Sequence, residues 1–142
     1  MSLIIELSDA LVAEINNGTF SQPLTAIREY VPSYDLSEMH DLHVTVVPQE
    51  VRLAGGDRSR SQGDFGIDVA VQQKLQQADN AEIDQLTGFT EELMDYLRAK
   101  RLTQYPKAAW LHTDQRVLYA PEHVIELRQF TSVFTLTYRV LR

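Results

Sequence analysis

Apolar and polar residues alternate most clearly in two runs near the middle of the chain. In the first, Leu42, Val44 and Val46 alternate with His43 and Thr45, and Pro48 closes the run; in the second, Ile67, Val69 and Val71 alternate with Asp68, Ala70 and Gln72. An extended backbone points successive side chains to opposite faces, so each run predicts a half-buried β-strand. Between them, residues 54–64 hold three of the six glycines and two arginines, Arg58 and Arg60, with no large apolar residue to dock. That composition predicts a long hairpin loop, the kind of segment that is either functional or without fixed structure.

The flanking sequence changes period. Over residues 3–16, Ile4, Leu7, Leu11 and Ile15 form a stripe at helical spacing with Val12 beside it, while Glu6, Asp9 and Glu14 lie off it. Asn16-Asn17-Gly18 predicts the stop, because Asn and Gly tolerate a left-handed cap. Residues 24–31 alternate poorly and set Arg28 and Glu29 on opposite faces, which predicts a strand at an edge or an interface. Residues 81–99 predict the strongest helix: Asp79 and Glu82 resemble a capping box, and Ile83, Leu86, Thr90, Leu93 and Leu97 repeat at alternating spacings of three and four. Arg98, Lys100 and Arg101 at its end complement the helix dipole.

Residues 108–112 and 116–120 predict a small hairpin around Thr113-Asp114-Gln115, interrupted by Pro121. Residues 124–142 then predict a long strand, with Phe130, Phe134, Leu136, Tyr138 and Val140 on one face and Thr131, Thr135, Thr137 and Arg139 on the other. The order of elements predicts an α+β fold in a single domain of residues 1–142: a mostly antiparallel sheet with two helices packed on one face and a long hairpin loop.

Composition narrows the function. A net charge of -7 argues against a dedicated nucleic-acid binder. With no cysteine there is no disulfide, thiol nucleophile or Cys-ligated metal. The first residues lack a basic segment ahead of an apolar run, so no signal peptide is expected, and no stretch approaches the roughly 20 apolar residues of a membrane span. Asn17-Gly18-Thr19 matches a glycosylation sequon but reads as a helix end.

Motifs for chemistry fail on context. His40 and His43 straddle a strand start, where positions three apart face opposite ways, and His112 and His123 are isolated, so no metal is expected. Asp64-Phe65-Gly66 copies a kinase tripeptide in a chain far too short for a kinase. Gly55-Gly56 lacks the surrounding pattern of a phosphate cradle. No serine sits in a nucleophile elbow, and Glu91-Glu92 reads as a solvated helix face. Trp110 reads as core. No catalytic or cofactor-binding residue is expected. The candidate contacts are Arg58 and Arg60, which on a Gly/Ser loop can reach a partner's carboxylates or phosphates, together with Arg28 and Glu29 on the poorly patterned strand.

The order of these segments resembles the small tail proteins of long-tailed bacteriophages and prophages, of the tail-terminator or tail-completion type. The resemblance runs from the N-terminal helix through Ala26-Ile27-Arg28-Glu29-Tyr30-Val31-Pro32, the arginine-bearing loop and the helix carrying Ile83 to Leu97. It ends in Phe130-Thr131-Ser132-Val133-Phe134-Thr135-Leu136-Thr137-Tyr138. It implies a non-enzymatic virion protein, made in the bacterial cytoplasm and placed in the tail. Such a protein forms a ring, commonly hexameric, that ends growth of the tail tube and meets the head connector. The implied partners are other copies of the chain, the tail tube protein and head connector proteins, with no sequence-specific nucleic acid and no membrane. Another connector of the neck region and a small enzyme or accessory subunit are the alternatives.

Overall fold

The computed structural model describes residues 2–30, 41–55, 61–115 and 117–141. In chain order the elements are α1 (Leu3–Asn16), β1 (Ala26–Arg28), β2 (His43–Gly55), β3 (Ser61–Lys74), α2 (Asn80–Leu97), β4 (Ala109–Asp114), α3 (Pro121–Leu127) and β5 (Gln129–Leu141). The five strands form one sheet in the order β1-β2-β3-β5-β4. Only the β1–β2 pairing is parallel; β2–β3, β3–β5 and β4–β5 are antiparallel. The fold is α+β as the pattern predicts, with a short third helix in addition.

The helical stripes and the strand alternation meet on one face of the sheet. Leu7, Leu11 and Ile15 of α1 and Leu86, Phe89, Leu93 and Leu97 of α2 pack with Val44, Val46, Ile67, Val69, Phe134, Leu136 and Tyr138 in a single apolar cluster. Each large side chain in that cluster contributes about 1.5–3 kcal/mol by leaving water. The outer face carries the alternate residues: Asp64, Asp68, Thr135, Thr137 and Arg139. There the Arg139 guanidinium donates two parallel bonds to the Asp64 carboxylate, at 2.8 and 3.1 Å. That hydrogen bond, foremost, and the positive charge hold Asp64 below the usual carboxylate range.

Side chains fix the joints. The Asn16 amide, at the end of α1, both donates to the Ala26 carbonyl (3.1 Å) and accepts from its N–H (2.7 Å), standing in for a strand neighbour of β1. The cap after it, Asn17, stays right-handed at φ -86°. Gly18 is therefore not there for a left-handed turn; a Cβ on it would lie 2.8 Å from the Phe20 ring and 2.9 Å from Tyr96. Phe20 in turn packs edge-on against Phe89 and Tyr96 of α2. Glu92, expected on a solvated face, accepts from the Ser21 N–H and hydroxyl at 2.9 and 2.7 Å. Asp79 caps α2 by accepting from the Glu82 N–H. Glu82 itself accepts from the N–H groups of Gln76, Gln77 and Ala78 instead of completing a capping box.

Four expectations need correction. The expected strand over residues 24–31 is ordered as β1 over three residues only, with Val31 outside the described residues. Pro48 does not end the first alternating run. β2 continues past it to Gly55, because β1 stops at the level of Val46 and a bulge between Pro48 and Glu50 absorbs the missing donor. The expected loop of residues 54–64 is thereby shortened from both sides: Ala54 pairs with Gln62 and Gly55 with Ser61. The hairpin expected over residues 108–120 supplies only β4, and residues 121–127, expected as a break and the start of a strand, form α3 with Pro121 in its first turn.

Candidate self-association surface

A sheet of this order has two edges, and among the described residues no further strand pairs along most of either. On one side, β1 pairs with β2 only from Val44 to Val46, so β2 beyond that level has no strand neighbour among the described residues. Every residue from Gln49 to Gly55 is exposed. Val51 pairs with Phe65 and Leu53 with Gly63, which places both on the core side of the sheet, past the cover of the helices. They are 47% and 70% exposed, an unusual use of two large apolar residues in a regular strand. On the other side, β4 pairs with β5 and with no other strand among the described residues.

Arg28 and Glu29 sit beside the first of these edges. The Arg28 guanidinium lies 2.7 Å from Asp9 of α1 and 5.7 Å from the centre of the Tyr30 ring. The hydrogen bond to Asp9 is the foremost cause that raises its pKa further. Arg28 therefore ties β1 to α1 within the chain. Glu29 is exposed, and its backbone N–H donates to the Val46 carbonyl at 3.0 Å. Arg58 and Arg60 lie outside the described residues. The exposed apolar residues of this edge that pattern reading passed over are Val51 and Leu53. Their alternation with Arg52 was visible, but Pro48 before them and the glycines after them read as loop punctuation.

A groove of about 710 Å³ lies on the outer face, between Glu50 and the start of α3. It gathers Glu50, Asp68, Asp114, Glu122 and His112 around Val133. Two of its acids are engaged in structural bonds: Asp68 accepts from the Thr135 hydroxyl at 2.6 Å, and Asp114 lies 3.0 Å from His112 Nδ1. The contact shown at the His112 ring is to the Asp114 carboxylate. His43 lies level with Thr131 and His112 level with Thr137, six positions away along β5 and so about 20 Å apart along the sheet. His123 bonds Thr131 at 2.9 Å, and His40 lies outside the described residues. Among the described residues no group of three or more His, Asp or Glu is placed to hold a metal ion. No described helix is long and apolar enough to cross a membrane.

A comparison with models of known protein families finds no match, and no curated protein matches the sequence.

Proposed function

We propose that this chain is a structural, non-enzymatic component of a long-tailed phage or prophage virion, assembling as a ring at the head-proximal end of the tail. There it ends growth of the tube and joins it to the head. The observation that carries the self-assembly half of this reading is the open β2 edge with Val51 and Leu53 held out in solvent. Contacts between two different surfaces of identical subunits generate a closed ring when the rotation closes. The tail position rests on the resemblance in layout from α1 through the hairpin to β5. The acidic balance of -7 suits a passage that lets DNA through without holding it. In the outer-face groove Asp68 and Asp114 are held in structural bonds, which favours a structural role for them over a catalytic one.

Purified protein mixed with isolated tails and with filled, tailless heads tests the position. Binding to the end of tails, with loss of further tube growth, is the expected result. Binding to heads alone assigns the chain to another connector of the neck, and binding to neither removes the virion reading.

A further inference from the structure

We propose that copies of this chain join edge to edge, the strand from Glu50 to Gly55 of one copy, which has no neighbour on its outer side among the described residues, pairing antiparallel with β4 of the next. This deepens the ring reading above and rests on it.

An open strand edge offers a row of unpaired N–H and C=O groups, and proteins that stay apart blunt such edges with charge, proline, bulges or a covering segment. In β2 the proline and the bulge sit at one place only. Pro48 and the bulge before Glu50 protect the stretch next to β1. From Glu50 to Gly55 the ladder with β3 is regular again, Arg52 is the only cation, and Val51 and Leu53 are exposed. That stretch exposes its two large apolar side chains on the core side of the sheet and its two charges, Glu50 and Arg52, on the outer face.

The mate follows from the geometry of the same sheet. β2 and β4 are its two outer strands beyond the level of β1, and they run antiparallel to each other, because β2 is antiparallel to β3, β3 to β5, and β5 to β4. A rotation that brings the next copy alongside without inverting it therefore sets β4 against β2 in an antiparallel ladder. Residues opposite one another must share a face. Arg52 and Asp114 both stand on the outer face, and Leu53 and Thr113 both on the core side. The register that sets Asp114 opposite Arg52 also sets Thr113 opposite Leu53 and His112 opposite Ala54. It joins opposite charges across the strands, the arrangement that stabilises cross-strand neighbours. A two-fold pairing of β2 with its own copy centred on Leu53 would instead set Arg52 opposite Ala54, with no opposite charge to meet it. It would also leave β4 open.

The full chain tests this directly, because it contains no cysteine and every disulfide is an introduced one. Three variants are oxidised at high concentration: Leu53→Cys, Thr113→Cys and the double variant. Leu53→Lys, with Ile125→Lys on the exposed side of α3 as control, is compared with wild type by light scattering. Thermal unfolding checks that each variant folds. The expected result is a ladder of covalent oligomers from the double variant and none from either single one. With it, Leu53→Lys should weaken assembly at least tenfold and Ile125→Lys should leave it unchanged. Covalent dimers from Leu53→Cys alone would overturn the pairing in favour of the two-fold one. No cross-linking from the double variant would overturn β4 as the mate. Undiminished assembly of Leu53→Lys would remove the β2 edge and leave the ring reading standing. A wild type that never associates would defeat the ring reading itself, and this pairing with it.

Discussion

Glu14 of α1 accepts two hydrogen bonds from Thr103, 89 residues further on: one from the backbone N–H at 2.8 Å and one from the hydroxyl at 3.1 Å. The carboxylate is buried, and the Glu14 backbone carbonyl accepts from the Tyr96 hydroxyl at 3.1 Å. One residue thus ties the first helix to the end of α2 and to the segment that follows it. Hydrogen bonds to a charged group contribute about 1.5–3 kcal/mol each, and orphaned donors add to the loss. Glu14→Ala should cost about 2–4 kcal/mol in urea unfolding, and Thr103→Val about 1 kcal/mol. The double variant should cost less than the sum of the two, because both remove the same contact.

Tyr138 presents the opposite case. Its ring is fully buried, and its hydroxyl has no hydrogen-bond partner among the described residues. Burial, with the nearby Glu14 charge adding to it, pushes the phenol well above its ordinary pKa of 10. Tyr138→Phe keeps the packing and removes the unpaired group, so it should be at least as stable as wild type at pH 7. A group whose pKa is raised on folding contributes stability below its ordinary pKa and loses it as pH climbs above. Wild type should therefore lose more stability than Tyr138→Phe when unfolding is followed from pH 9 to pH 11. Equal slopes in that window would show that the hydroxyl reaches water.

Glu82 should govern acid stability at the start of α2. Burial alone would raise its pKa, but the N–H donors of Gln76, Ala78 and Gln77 outweigh burial and bring it below 4.5. Its contribution is present above the ordinary carboxylate pKa and fades as pH falls through the lowered one. Glu82→Gln should cost about 1 kcal/mol at pH 7, with the difference from wild type closing below pH 4. Thermal unfolding at a series of pH values reads both.

Burial periodicity made the core legible. The stripes of α1 and α2 and the alternation of β3 and β5 each follow from one face meeting the apolar cluster, and a period is a local property of sequence. What stayed hidden depends on neighbours distant in the chain. Pro48 read as a strand end because its tolerance comes from the absence of β1 at that level. Glu14 read as a solvent-facing charge because its partner is 89 residues away. Helix α3 spans seven residues, two turns, too few to show a period. Of the four contact residues chosen from sequence, Arg28 and Glu29 do lie beside the open edge, but Arg28 is engaged by Asp9 within its own chain. Val51 and Leu53 could have been found by carrying the alternation across Pro48 through Arg52.

The proposed ring is built from copies of this chain alone. Native mass by light scattering, from micromolar to millimolar protein and with negative-stain microscopy of the same samples, tests it most directly. The account predicts a single discrete species of about six 16.2 kDa chains, seen as rings. A monomer at every concentration, alone and in the presence of tail tubes, would contradict it.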